Sequence, residues 1–272
     1  MTGTGAGSPA ADPVGATDAR PDGAGDGSTV TGGAAHRAVA AELAAVRRRS
    51  PGRAPRVLDV GGGSGAWAVP LAKAGCAVSV VDPSPNALAA LVRRARDAGV
   101  HDLVTAVSGD VDALADVAPV AQADLVLGHG LLEVVDDVAS AVRAMAQAAA
   151  PGGAVSVLVA GRLAAVLART LAGRLAEARA VLTDPDGRFG PDDALRRRLD
   201  AASLRRALAA EPALHLELLQ GDGVLEGWMP GAVRDGGPAT AGPIGELEER
   251  AAAEPALIDV AARLHAISRR VS

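Results

Sequence analysis

From Arg56 onward the chain alternates short apolar runs with longer stretches in which apolar positions recur at helical spacing. Arg56–Val60 (RVLDV), Ala77–Val81 (AVSVV), Leu103–Val107 (LVTAV), Ala123–Gly128 (ADLVLG) and Ala154–Val159 (AVSVLV) each read as buried strands. Helical candidates lie between them at Gly65–Ala74, Pro85–Ala98, Val111–Val117 and Val134–Ala149. Strands alternating with helices need crossover connections. That implies a mainly parallel sheet with helices on both faces. Ahead of this region, Ala34–Arg49 (AAHRAVAAELAAVRRR) predicts a helix whose basic end suits a C-terminus, with Pro51 and Pro55 stopping it.

Past Gly161 the rhythm changes. GRLAAVLARTLAGRLAEARAVL predicts one long amphipathic helix, followed by the turn-rich DPDGRFGPDD. Helical pieces around Ala201–Ala210 and Ile244–Ala253, with strands at His215–Leu219 and Ala261–Ile267, would complete the sheet and cover its ligand edge. Met1 to Gly33 is Gly, Ala, Pro, Asp, Ser and Thr with little to bury, and is expected to be a disordered tail. One domain over residues 34–272 is expected, with core motifs at 56–160 and lid helices and last strands at 161–272.

Composition narrows the function. Lys and Arg total 27 against 32 Asp and Glu, a net charge of −5, which disfavours non-specific polyanion binding. With two Trp, one Phe and no Tyr, a surface built on aromatic stacking is excluded. The single Cys76 excludes an internal disulfide and a Cys-rich zinc site, and the five His have no ligand spacing, so no metal is expected. The start MTGTGAGSPA has no signal-peptide pattern, and no stretch reaches the roughly 18 apolar residues of a membrane span. A soluble, cytoplasmic protein is the expectation.

The strongest chemical signal is VLDVGGGSG, Val57 to Gly65, between a strand and a helix. Gly61, Gly63 and Gly65 allow a tight turn and close approach of a ligand. Gly61, Gly63 and Ala66 also satisfy the relaxed G-x-G-x-x-A pattern, so a nicotinamide dinucleotide competes. Asp59, inside the strand, would repel a pyrophosphate and welcome a cationic amino-acid ligand. Asp82 ends the next strand (VVDPS), where a carboxylate can accept both hydroxyls of a ribose; that role is shared with dinucleotide folds. Asp110 follows the third strand (SGDVDAL), within reach of an adenine amino group. Each Asp alone could equally be a helix cap or turn residue.

VLDVGGGSG, VVDPS, SGDVDAL, ADLVLGHGLLEVVDD and AAAPGGAVSVLV together resemble the successive motifs of class I S-adenosylmethionine-dependent methyltransferases, over Arg56 to Val159. The resemblance implies a Rossmann-like, doubly wound seven-stranded sheet with an antiparallel last strand, and S-adenosyl-L-methionine over the carboxyl ends of the first strands. By that likeness Gly61 and Gly62 face the methionine and ribose part and Asp82 holds the ribose, with Asp59, Gly63 and Gly65 of the same motif as further cofactor-binding candidates. Asp110 and Val111 would frame the adenine, His129 would lie beside the sulfonium, and Pro151-Gly152-Gly153 would turn into the fifth strand. GHGLLEVVDD, GDGVLEGWMPG and ELEERAAAEPALIDVAARLHAISRR are similar to the bacterial tRNA 5-carboxymethoxyuridine methyltransferases, which esterify a wobble uridine. That family's N-terminal F-x-R-N arginine has no clear counterpart here, Arg37 being the loose candidate, and its lid aromatics are Ala, Val or Leu.

An activated methyl group needs an aligned acceptor and a dry site. A carboxylate acceptor requires no base; a hydroxyl would want help from His129, Glu133 or His265. His129 could instead be a hydrogen-bonded core group, Glu133–Asp137 a helix start, and Cys76 a buried small hydrophobe. Trp67 is expected beneath the glycine loop. The arginines from Arg188 to Arg206 offer phosphate contacts or a solvated helical face. The reading is a methyltransferase acting on an oxygen of a small molecule, with His129 the candidate catalytic residue. Wobble-uridine esterification on tRNA and a non-catalytic cofactor-binding regulator are the alternatives.

Overall fold

In a computed structural model, residues 33–118, 121–229, 233 and 238–271 are described. The tail expected to be disordered lies outside the described residues up to residue 32. The strands are β1 Arg56–Val60, β2 Ala77–Asp82, β3 Val104–Ser108, β4 Ala123–His129, β5 Ala149–Ala160, β6 Leu214–Asp222 and β7 Arg263–Arg270. They form one sheet in the order β3-β2-β1-β4-β5-β7-β6. The pairs among β1 to β5 are parallel, and β7 runs antiparallel between β5 and β6. This is the doubly wound sheet with an antiparallel last strand that the motifs imply.

Both sheet faces are covered, which is why the central strands read as continuous apolar runs rather than alternating ones. Helices α1 Ala34–Arg49, α2 Ala68–Lys73 and α3 Pro85–Asp97 bury Val39, Leu43, Leu71, Leu88 and Leu91 against Val57, Val80, Leu125 and Leu127. On the opposite face, α4 Leu114–Val117, α5 Val138–Ala148 and α8 Ala201–Ala209 bury Leu114, Met145, Leu204 and Leu208 against Val60, Val126, Val157 and Leu264. Cys76 is buried in the first of these clusters, as a small hydrophobe. Helix α3 starts where the sequence places it: Ser84 accepts from the Ala87 amide and Pro85 occupies the first turn.

Four segments depart from expectation. The long helix after Gly161 is two, α6 Arg162–Leu171 and α7 Leu175–Thr183, because Gly173 adopts φ +73° and the Arg174 amide donates back to Arg169. Helix α5 begins at Val138, not Val134, because the Asp137 carboxylate caps it through Ala139 N–H and Ser140 Oγ–H. Glu133 to Asp136 therefore form turns before the helix rather than its start. Helix α2 begins at Ala68, since the glycine loop keeps turning through Trp67. Pro151-Gly152-Gly153 lies inside β5, as an irregularity where the register with β4 shifts. Gly153 is required there: a Cβ would stand 2.8 Å from the Ala150 carbonyl oxygen and 2.9 Å from that of Ala123. Among the described residues, no helix is long and apolar enough to cross a membrane.

Leu204 is 0% exposed and carries α8 onto the sheet. Leu204→Ala should cost about 2–5 kcal/mol, read as a lower urea midpoint at unchanged slope; an unchanged midpoint would show that α8 does not seal this core.

Candidate functional site

The strand order reverses direction between β1 and β4, and in open α/β sheets ligands bind at the carboxyl ends beside such a switch point. The chain brings Asp59 and the glycine loop from β1, Asp82 from β2, Asp110 after β3 and His129 from β4 to that one edge. Asp59 is 1% exposed. A Cβ on Gly62 would collide with its carboxyl group, so the loop can close over this aspartate only as glycine. Gly61, Gly63 and Gly65 all adopt positive φ, and the Gly61 amide donates to the Val81 carbonyl at 2.8 Å.

Asp82 fastens the loop to the end of β2. Its Oδ2 accepts from the Gly63 amide at 2.9 Å and its Oδ1 from the Ser84 amide at 2.8 Å. Each carboxylate oxygen has a further lone pair free for a ligand hydroxyl. Asp59 lacks such partners: its Oδ2 is buried without any hydrogen bond. Burial, and then the neighbouring Asp82 charge, push its carboxyl up to about 7. A cationic group brought to this oxygen would supply the missing partner. Asp110 is exposed at the start of a short 3-10 turn and caps nothing with its side chain. The side chain of Val111 is packed in the core, so what it can offer a ligand is its main chain.

His129 sits at the end of β4. Trp67 stands edge-on to its ring, centroids 4.4 Å apart, and His36 from α1 stacks on Trp67 at 3.9 Å. Trp67 thus flanks the histidine rather than simply lying under the loop. His129 Nε2 is 2.8 Å from Ser156 Oγ, while Nδ1 is buried without a partner. Burial first, then His265, His36 and Arg263, hold His129 well below the usual histidine range, so the ring is neutral. Glu133 is also buried, accepting from the Ala160 amide, and burial pushes its carboxyl up to about 7 despite that bond and nearby Arg198 and Arg263.

The arginine-rich stretch is not one solvated helical face: Arg196, Arg197 and Arg198 are engaged by neighbouring groups, whereas Arg205 and Arg206 are exposed. Arg197 donates to the carbonyls of Leu132, Val135 and Asp136, tying the post-β4 turns in place. Arg198 is buried and paired with Asp193 at 2.6 Å, and Arg196 pairs with Asp136. Only Arg205 and Arg206 are on a helix, α8. Ser156, Gln220 and Asp222 carry polar groups that the sequence did not single out. Asp222 accepts from the Ala35 amide at 2.9 Å and from Arg263 at 2.6 Å, holding the first turn of α1 at this edge.

Asp59 and Glu133 keep their protons in the folded chain at pH values where the unfolded chain has lost them. The stability this confers is complete below their ordinary values of 3.8 and 4.5 and is lost as pH rises through about 7. The buried histidines, held neutral, pull stability the other way below about pH 6.5, so the difference between two proteins isolates Asp59. Between pH 5 and pH 8 the urea midpoint of Asp59→Asn, whose amide cannot ionise, should rise relative to that of wild type. The same pH dependence in both proteins would show that Asp59 ionises normally.

The sequence profile of a family described as "Methyltransferase domain" matches residues 34–210. The chain is 36% identical over 121 residues to a ubiquinone biosynthesis O-methyltransferase of Methylocella silvestris, covering 43% of this chain and 41% of that relative. It thus spans about two-fifths of the length of the curated relative it matches. The fold is similar to magnesium protoporphyrin IX methyltransferase from Synechocystis PCC 6803, with TM-score 0.53 and 14% identity over 87% of this chain and 84% of that one. It is also similar to geranyl diphosphate C-methyltransferase from Streptomyces coelicolor A3(2), with TM-score 0.51 and 15% identity over 87% and 77%. These comparisons carry the class-level resemblance and add nothing to the likeness with the tRNA enzymes. The chain belongs to the class I, S-adenosylmethionine-dependent family of methyltransferase domains.

Proposed function

We propose that the protein transfers the methyl group of S-adenosylmethionine to an oxygen, carboxylate or hydroxyl, of a small molecule. The observation that carries this reading is the neutral His129 ring, with one nitrogen unpartnered, on the same strand edge as Asp59 and Asp82. A neutral imidazole can orient an oxygen or take its proton without bringing a charge close to a sulfonium. The O-methyltransferase relative supports an oxygen acceptor. The internal use of Arg197 and Arg198 takes two arginines out of the basic cluster that favoured tRNA.

The residues present fit the cofactor. The unpartnered Asp59 oxygen suits the ammonium of its methionine part, and ionising on contact would release a proton. Gly62, without a Cβ, lets the loop close over that carboxyl group and keep it at the ligand edge. The remaining lone pairs of Asp82 suit the ribose hydroxyls, and Asp110 with the main chain of Val111 suits the adenine. When bound, the cofactor supplies a methyl group already activated by its sulfonium. The chain's part is to align the acceptor oxygen and keep water out, with Trp67 and His36 packed beside His129.

Charged hydrogen bonds to the ribose are worth about 1.5–3 kcal/mol. Asp82→Ala should accordingly weaken S-adenosylhomocysteine binding roughly 10-fold to 150-fold, measured by calorimetry; unchanged affinity in a folded variant would sink the ribose role. For the acceptor, the protein is incubated with methyl-labelled cofactor and either a protein-free metabolite extract or total tRNA. Label in the small-molecule pool, released by mild alkali from an ester or stable as an ether, is expected. Label in a tRNA nucleoside would overturn the reading, and none in either pool would favour a non-catalytic binder.

A further inference from the structure

Four polar side chains cross the sheet beneath α1 in one connected line. The register places His129 beside Leu158, Leu158 beside His265 and His265 beside Gln220, a single row across β4, β5, β7 and β6. Ser156, two residues before Leu158 and so on the same face, bridges the two histidines. Its Oγ lies 2.8 Å from His129 Nε2 and 2.8 Å from His265 Nε2, and Gln220 Nε2 lies 3.0 Å from His265 Nδ1. Ser156 and His265 are 0% exposed.

A hydroxyl has one proton and two lone pairs, and a neutral imidazole carries one proton. Among the described residues the two ring nitrogens are the only hydrogen-bond partners of Ser156 Oγ, so a ring that donates to it leaves the other ring to take its proton. Gln220 Nε2 can only donate. His265 Nδ1 must then accept, and its Nε2–H donates to Ser156. The Ser156 proton is left for His129 Nε2, which accepts it. The His129 proton therefore resides on Nδ1, the nitrogen without a partner. A buried N–H with no acceptor carries a desolvation cost, which a ligand oxygen would relieve. Burial holds both rings neutral, His265 at about 4 despite the opposing pull of Asp222, so protonation does not scramble the line near neutral pH.

We propose that Ser156, His265 and Gln220 are positioning residues that fix His129 as an Nδ1–H hydrogen-bond donor to the acceptor oxygen, rather than as a base. The proposal rests on the methyl-transfer reading above. A donor holds an oxygen lone pair in line without removing a proton, so the oxygen it serves must already be nucleophilic at neutral pH.

The test is nitrogen-15 NMR of the histidine side chains in the full chain, with His129 and His265 signals assigned by His129→Asn and His265→Asn. Wild type should show His129 protonated on Nδ1 and His265 on Nε2. Gln220→Glu places only acceptor oxygens at the far end of the line, on a half-buried strand position that should tolerate it. It should reverse both tautomers, three hydrogen bonds away from His129. It should also lower transfer to the labelled small-molecule pool at least 10-fold in kcat, with S-adenosylhomocysteine affinity within two-fold of wild type. Ser156→Ala should leave His129 a mixture of tautomers, and Ser156→Thr should restore the wild-type pattern. An Nε2-protonated His129 in wild type, or tautomers indifferent to Gln220→Glu, would overturn the proposal. The expected tautomers in a protein that transfers no methyl group would keep the hydrogen-bond line but remove its proposed catalytic purpose, and the methyl-transfer reading would be what failed.

Discussion

A carboxyl group sealed into the end of β1 shapes everything around it. Asp59 occupies the space directly under the turn that follows its own strand, so the backbone at Gly62 can pass only without a side chain. The loop that results must be held down from elsewhere, and Asp82 does so from the neighbouring strand through the Gly63 and Ser84 amides. The two carboxyls answer opposite demands. Asp82 is satisfied by backbone donors, whereas the buried Oδ2 of Asp59 has no partner, and burial holds that carboxyl's proton up to about pH 7. This sheet edge therefore contains one carboxyl anchored by amides and one whose proton a cation would displace.

Those features were legible because each rests on local chemistry. The β-branched runs around Val57, Val80 and Leu125 mark strands covered on both faces, and glycine spacing marks a turn that needs positive φ. Other features depend on partners distant in the chain. A lone serine in AVSVLV reads as an ordinary strand residue until the register sets it between two histidines. Gln220 gains meaning only once β6 lies against β7. The break at Gly173 leaves no mark in the pattern because the apolar spacing continues unbroken across it, while the backbone reverses its handedness at one residue.

The arginines show how far charge patterning misleads when irregular chain is abundant. The segment between α7 and α8 has few backbone ladder bonds of its own, so its carbonyls, and those of the turns after β4, need donors from side chains. Arg197 and Arg198 supply them, each planar guanidinium serving two or three acceptors at once. Positive charge here is mortar for loops that flank the binding edge.

The position of β7 has a consequence for how the molecule comes into being. The last strand is wedged into the sheet's interior rather than added at its rim. Ser156 meets His129 across 27 residues of chain but His265 across 109. During synthesis the first five strands can pair while β5 still presents an open edge, a template for wrong partners. Seating β7 closes that edge and, in the same event, delivers the second histidine. A chain that lacked β7 would hold the glycine loop but not His265, so the polar line across the sheet exists only once the whole sheet has closed.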